Sequence, residues 1–191
     1  MININNAVQF QHLIWDRSMK KAKVVVDATC GNGHDLLYLA KRAQKGCHLY
    51  GIDIQMKAIK TSKELLQSND IAPEVSLTFI HDSHDLAVAH QLKDEVIDLM
   101  IFNLGYLPGS NHEIITKPHH TIDAINEGLH KLSKSGVITI VAYPGTNDGL
   151  AEMQSLKTYL SDLEQKFYNV CYWQPLNQIN NPPELFILQK R

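Results

Sequence analysis

Residues 23–35 read KVVVDATCGNGHD, a β-branched run that passes directly into a glycine-rich turn. Three consecutive valines favour a strand buried on both faces, as in a parallel sheet. Gly31 and Gly33 allow a sharp turn that brings backbone N–H groups close to a ligand. The helix predicted from Gly33 to Arg42 adds N–H donors and a partial positive charge at its N-terminus. The stretch predicts a strand–turn–helix unit that binds a ligand at the turn.

Apolar strands and polar-faced helices alternate along the rest of the chain. The further strands are predicted at 48–54, 75–80, 96–103, 136–142, 167–173 and 185–189, and the further helices at 55–68, 84–93, 119–132 and 149–163. The last two strands have no long helix between them and should form an antiparallel edge. The pattern predicts a Rossmann-like α/β fold with a seven-stranded, mostly parallel sheet and helices on both faces.

The bulk composition indicates one globular domain over residues 1–191, with an amphipathic helix at about 8–20 packed on it. A net charge of −2 argues against coating nucleic acid by bulk charge, although a local basic patch could still hold RNA. The N-terminus does not resemble a signal peptide, and no stretch has the roughly 20 apolar residues of a membrane span. We therefore expect a cytoplasmic protein.

In a doubly wound sheet, ligands bind at the carboxyl ends of the strands. A dinucleotide fingerprint would place a third glycine at position 36, where this chain has Leu36. This favours a ligand with a carboxylate over a pyrophosphate, and it argues against an oxidoreductase. A plain glycine-rich structural turn is the alternative.

The second and third strands also end in polar side chains. Asp53 follows the glycine turn by about 20 residues, the spacing of an acidic residue that binds ribose hydroxyls. Asp82 or Ser83 could bond an adenine amino group, and His84 could pack on the ring. Helix capping is the alternative at both strand ends. A metal site is not expected, because His81 and His84 lack a third ligand at a recognisable spacing.

The fourth strand ends in Asn103, which is followed by a Gly turn and Tyr106. An asparagine carbonyl can accept a proton of an amine and so orient its lone pair, and an aromatic ring can stack on a base. We expect the acceptor of a reaction to bind here, with a structural turn as the alternative.

Five motifs together resemble one bacterial family: DATCGNGHD, GIDIQ, HDSH, NLGYLPG and NQINNPPELFILQK. The family was first described as rRNA methylases and is now assigned as tRNA 5-(aminomethyl)-2-thiouridylate methyltransferases, of the class I fold. The resemblance covers nearly the whole chain. It implies S-adenosylmethionine as cofactor and methylation of the aminomethyl group on a tRNA wobble uridine, in the anticodon stem-loop. The oligomeric state is left open between monomer and homodimer.

The resemblance also implies the site residues. The catalytic residues are Asn103 and Tyr106. The cofactor-binding residues are Asp27, Thr29, Gly31, Asn32, Gly33, Asp35, Asp53, Gln55, Asp82, Ser83 and His84. This chain departs from the family pattern at Ser110–His112, where a more Gly- and Asp-rich loop is expected, and at Glu184, where an apolar residue is expected. Asn181-Pro182-Pro183 looks like an amino-methyltransferase motif but precedes the last strand, so we interpret its prolines as shaping the entry to an edge strand.

Other functions stay open on the residues alone. Within enzymes, the alternative is methylation of an amine in rRNA or in a small molecule. From another class, the alternative is a nucleotide-binding module without catalysis.

Overall fold

The computed structural model describes residues 6–105 and 117–191 of the chain. In these two ranges, helices and strands alternate. The helices are α1 (Ala7–Ser18), α2 (His34–Ala40), α3 (Met56–Gln67), α4 (His84–Leu86), α5 (Pro118–Lys131) and α6 (Asn147–Ser161). The strands are β1 (Val24–Asp27), β2 (His48–Asp53), β3 (Ser76–His81), β4 (Ile97–Asn103), β5 (Leu132–Ala142), β6 (Tyr168–Trp173) and β7 (Glu184–Lys190).

The strands form a seven-stranded sheet in the order β3-β2-β1-β4-β5-β7-β6. Strands β1 to β5 are parallel, while β7 pairs antiparallel with both β5 and β6. The predicted fold class and the antiparallel C-terminal edge are confirmed. The strand order reverses between β1 and β4, and their carboxyl ends flank the crevice in which such sheets bind ligands.

Two apolar layers cover the sheet, one on each face. Along β4, Leu99 and Ile101 face a layer that includes buried side chains of α1, α2 and α3. Met100 and Phe102 face the opposite layer, with buried side chains of α5 and α6. The alternation follows from the two-residue period of a strand. Because both faces are covered, a β-branched, near-continuous apolar run such as Val24–Val26 suits the centre of this sheet.

Helix α1 packs against the sheet near β5. Asn6 caps it by accepting a hydrogen bond from Val8 N at 2.8 Å. Ala7, Gln11 and Trp15 are buried, and their spacing of four places them on one face of the helix. Leu13 lies off this face and is 39% exposed.

Two predicted elements differ from the structure. Strand β5 begins at Leu132, which pairs with Ile97, whereas the sequence placed its start at Gly136. The register then shifts to Leu99 opposite Val137, and Ser135 in the intervening bulge has a φ of 65°. The helix predicted over residues 84–93 is a short α4 followed by a π-helical turn at Ala87–Gln91.

Among residues 6–105 and 117–191, no helix has the length and apolar character needed to cross a bilayer.

Thr139 provides a test of how α1 is held. Trp15 is fully buried, and its Nε1 donates to Thr139 Oγ1 at 2.9 Å. Thr139→Val keeps the shape of the side chain and leaves this buried N–H without its acceptor, which should lower the free energy of unfolding by about 1–3 kcal/mol. Urea unfolding measures the change.

The matched control is Thr158→Val on the exposed side of α6, where the hydroxyl bonds only to its own helix. Its free energy of unfolding should stay within about 0.5 kcal/mol of the wild type. Equal effects of the two substitutions would contradict the importance of the Trp15 hydrogen bond.

Candidate active site at the carboxyl ends of the strands

The turn between β1 and α2 has the conformation that its glycines predict. Gly31 and Gly33 have φ values of 49° and 86°, in the region that favours glycine. A side chain at Gly33 would also place its Cβ 2.9 Å from the Cα of Ser62. Ser62 in turn donates to Gly31 O at 2.8 Å. The turn is therefore packed tightly against α3, and the N–H groups of Gly31 and Gly33 are donated within the chain, to Asp53 Oδ2 and Cys30 O.

Asp53 joins this turn to the end of β2. Its Oδ2 accepts from Gly31 N at 2.9 Å and its Oδ1 accepts from Gln55 N at 2.8 Å. Partial burial raises the pKa of Asp53, while the two backbone N–H groups oppose that shift. The N-cap of α3 is Gln55 and no side chain caps that helix, so the capping alternative is wrong for Asp53, whose carboxylate instead joins Gln55 N to the glycine turn. Each oxygen keeps acceptor capacity for a ligand hydroxyl.

Asp27, the last residue of β1, is a buried carboxylate with incomplete hydrogen bonding. It is 2% exposed, and its Oδ1 accepts from Thr29 N at 3.2 Å. Its Oδ2 has no hydrogen-bond partner within the described residues. Burial, and then repulsion from Asp35, raise the pKa of Asp27 well above its ordinary value. A buried, half-satisfied carboxylate favours a cationic or N–H donor supplied by a ligand.

The end of β3 lies beside that of β2. Asp82 N donates to Asp53 O at 3.2 Å, and the Asp82 carboxylate accepts from Ser83 N and Gln91 Nε2. Ser83 precedes α4, but its side chain makes no hydrogen bond that caps the helix.

His84 meets the Phe102 ring edge to face, with the ring centroids 5.9 Å apart. Its Nε2 is buried without a partner among the described residues. Burial lowers the pKa of His84 to about 4, so this ring is neutral near pH 7. The predicted adenine-side segment thus has unused hydrogen-bonding capacity in a mostly buried setting.

Asn103 ends β4 and lies at the centre of a polar network. Its backbone N donates to Thr29 Oγ1 at 2.7 Å. Its side-chain Nδ2 donates to Asp35, and its Oδ1 accepts from Gln11 Nε2 at 3.4 Å. The structure thus places the Asp35 carboxylate directly against Asn103. The other predicted catalytic residue, Tyr106, lies outside the described residues, as do Ser110–His112.

Sequence reasoning missed two residues of α1 that reach this network. Gln11 contacts Asn103, and His12 Nε2 lies 3.2 Å from Asp35 Oδ1. A signal for Gln11 was present in its spacing: it stands four residues from the apolar Ala7 and from Trp15, on the face that the helix buries. His12 carries no comparable signal, since its position follows from where α1 packs.

Two predicted features of the C-terminal region have local structural explanations. Glu184, expected to be apolar, accepts a hydrogen bond from the Tyr172 hydroxyl on the neighbouring strand β6. Asn180 and Asn181 have φ values of 71° and 46° where the chain turns towards β7. Within the described residues, no group of three His, Cys, Asp or Glu side chains is arranged to hold a metal ion.

Comparison with known proteins gives consistent matches. Residues 49–189 match the family model described as "Putative rRNA methylase". The chain is 30% identical to an Arabidopsis thaliana protein named tRNA (mnm(5)s(2)U34)-methyltransferase, chloroplastic, over 96% of this chain and 69% of that protein.

Two solved structures are similar over nearly the whole chain. A "putative rRNA-methylase" from Clostridium thermocellum is 34% identical with a TM-score of 0.90, covering 99% of this chain and all of the other. A "putative methyltransferase" from Streptococcus mutans in complex with SAH is 33% identical with a TM-score of 0.85, over the same shares of the two chains.

The raised pKa of Asp27 predicts that its ionised carboxylate lowers the stability of the unliganded chain at neutral pH. Its raised pKa means that the folded chain holds the Asp27 proton more tightly than the unfolded chain does. The resulting stability is present below the ordinary pKa of 3.8 and is lost as the pH rises through the raised value. Asp27→Asn removes the charge and keeps an acceptor for Thr29. The unliganded variant should therefore unfold at a higher urea concentration than the wild type at pH 7.5.

The difference in urea midpoint between Asp27→Asn and the wild type should shrink as the pH falls towards 4. Asp94→Asn, at an exposed position, serves as the control and should show no such trend. A difference that is the same at pH 4.5 and pH 7.5 would contradict the assigned cause.

Proposed function

The chain belongs to the "Putative rRNA methylase" family, and we propose that it methylates the 5-aminomethyl group of the wobble uridine in tRNA. It is a methyltransferase that uses S-adenosylmethionine as the methyl donor. The acceptor is proposed from the name of the Arabidopsis relative, a tRNA (mnm(5)s(2)U34)-methyltransferase. We further propose that residues 1–191 act as one catalytic domain and that the tRNA enters by its anticodon stem-loop.

One observation carries the proposal: the glycine turn held by Asp53 lies beside Asn103, with Thr29 hydrogen-bonded to both Asp27 and the Asn103 backbone. A methyl donor bound along the turn would therefore have one end next to Asn103, the predicted acceptor-site residue. When bound, the cofactor supplies a sulfonium-activated methyl group. What the chain must supply is alignment of the acceptor amine, exclusion of water and removal of the proton that blocks the amine's lone pair.

The described residues fit the cofactor. Asp53 can bind ribose hydroxyls, and the N-terminus of α2 can bind a carboxylate. The unpartnered Oδ2 of Asp27 suits the cationic amino group of a methionine moiety. The Asp82–His84 segment offers hydrogen-bonding groups for the adenine. We propose these roles, together with backbone contacts from Gly31, Asn32 and Gly33 in the turn.

We also propose that the reaction takes place in the cytoplasm. Cys30, Cys47 and Cys171 are free thiols, and Cys171 is exposed. Free cysteines are typical of a reducing compartment.

The activity is tested with the purified protein, S-adenosylmethionine and tRNA whose wobble uridine carries an unmethylated aminomethyl group. Nucleoside mass spectrometry should show conversion to the methylaminomethyl nucleoside. Ribosomal RNA and tRNA without the aminomethyl group are the controls and should stay unchanged. Methylation of ribosomal RNA, with none of the tRNA, would overturn the proposed acceptor.

Asp53 should contribute directly to cofactor affinity. Asp53→Ala removes the acceptor for ribose hydroxyls and loosens the turn, so S-adenosylmethionine should bind about 10- to 100-fold more weakly, the loss of one or two charge-assisted hydrogen bonds. Calorimetry measures the affinity. Asp70→Ala, at an exposed position after α3, is the control. An unchanged affinity in Asp53→Ala would remove Asp53 from the cofactor site.

Asn103 should affect turnover more than cofactor binding. Asn103→Ala removes the acceptor for the amine, and Asn103→Asp would set a second carboxylate against Asp35. Both should lower the single-turnover rate about 100-fold or more, with cofactor affinity within a few-fold of the wild type. Single-turnover methylation and calorimetry are measured in parallel. A wild-type rate in Asn103→Ala would make the β4 turn structural.

A further inference from the structure

Asp35 was predicted as a cofactor residue, but its side chain points to another role. It stands in the first turn of α2, and its hydrogen bonds go to Asn103 and to His12. We propose that Asp35 is the acceptor-side carboxylate that binds the substrate ammonium and takes up its proton, with His12 as a positioning residue and the Gln11 amide oxygen as a second acceptor for the ammonium. This inference rests on the proposed function, because it concerns the amine of that acceptor.

The contacts fix Asp35 between two elements. One carboxylate oxygen lies 3.2 Å from His12 Nε2, and the other accepts from Asn103 Nδ2. Each oxygen retains a second lone pair, which an ammonium could use. The Asp35 side chain is 21% exposed and that of His12 is 23% exposed, so the pair lies at the opening of the site. A carboxylate placed there can meet an incoming cation and return a proton to water.

A second observation at the same place is a buried oxygen that lacks a hydrogen-bond donor. Gln11 is fully buried, and its Nε2 reaches Asn103 Oδ1 at 3.4 Å. Its Oε1 is buried and has no hydrogen-bond partner in residues 6–105 or 117–191. A buried amide oxygen without a donor is costly unless a ligand or water supplies one. An ammonium has three donors, so it can serve both this oxygen and Asp35.

The proton must leave before the methyl group arrives. An alkyl amine has an ordinary pKa of about 10, so it enters mostly as the ammonium. Asp35 takes one proton, the amine nitrogen then bonds to the methyl carbon, and the carbon–sulfur bond breaks with its electron pair on sulfur. The product is a secondary ammonium and a thioether. Asp35 then releases its proton to solvent, so one proton leaves in each turnover.

Charged and aromatic groups surround Asp35. Asp27 from β1 is one of them, and repulsion from Asp35 adds to burial in raising the pKa of Asp27. His12 from α1 pairs with it, and the Tyr38 ring stacks on His12 with 3.9 Å between centroids. Arg42, over the face of Tyr38, is bonded to Asp16. A cationic substrate is therefore the charge that this cluster lacks.

The test separates acceptor binding from cofactor binding with Asp35→Asn. SAH affinity is measured by calorimetry, and kcat/KM is measured with tRNA that carries the aminomethyl group. Binding of that tRNA is also compared with binding of a matched tRNA that lacks the amine. Asp148→Asn, also in the first turn of a helix and exposed, controls for loss of a helix N-terminal charge.

Asp35→Asn should bind SAH within about threefold of the wild type and lose about 100-fold or more in kcat/KM. The preference for the aminomethyl tRNA should disappear in the variant and persist in Asp148→Asn. A parallel loss of SAH affinity, with the tRNA preference kept, would overturn the proposal and return Asp35 to the cofactor site.

His12→Gln provides the second variant, which retains the carboxylate if Asp35→Asn does not fold. It should weaken the preference for aminomethyl tRNA several-fold with SAH affinity unchanged, and an unchanged preference would overturn the positioning role.

The proposed function and this inference are overturned by different results. A wild type that leaves aminomethyl tRNA unmethylated refutes the proposed function, whereas a wild type that methylates it together with a fully active Asp35→Asn refutes only this inference.

Discussion

The Asp53 carboxylate accepts hydrogen bonds from the backbone N–H groups of Gly31 and Gln55. Through these bonds it joins two turns that follow different strands. The glycines make the first turn conformationally free, so without this anchor its N–H groups would have no fixed direction. Packing against Ser62 removes the remaining freedom from the other side. The backbone of this turn is thereby held between the side chains of Asp53 and Ser62, beside the strand end that carries Asn103.

Helix α1 links the stability of the fold to the site. One face carries both Trp15, whose Nε1 bonds to β5, and Gln11, whose amide reaches the end of β4. A residue spacing of four corresponds to about one helical turn, or roughly 6 Å along the axis. The core contact therefore fixes the height at which Gln11 and His12 meet Asn103 and Asp35. A shift of α1 along the sheet would misplace both contacts at once.

The central part of the fold could be predicted because its signals are local. The valine run, the glycine spacing and Asp53 each express a backbone requirement within a few residues, and the strands from β1 to β4 were found on that basis. The start of β5 could not be predicted, since Ser133–Gly136 show no strand pattern and the pairing of Leu132 with Ile97 depends on a bulge. The same limit applies to His12, whose role depends on which face α1 presents to another element.

The electrostatics of the site follow from its acidic side chains. Asp27, Asp35 and Asp53 lie at one edge of the sheet, and repulsion from the other two adds to burial in raising the pKa of Asp27. These carboxylates destabilise the unliganded chain because Asp27 is buried. Two carboxylates on the surface would repel each other far less, since water screens their charges. In the proposed function, an ammonium substrate beside the sulfonium of the cofactor would place two positive charges in one site until the ammonium loses its proton, after which the reacting pair carries a single positive charge. Carboxylates at this edge of the sheet would offset the repulsion while both cations are bound. The charges that disfavour the unliganded fold are thus those that would favour the binding of cationic ligands.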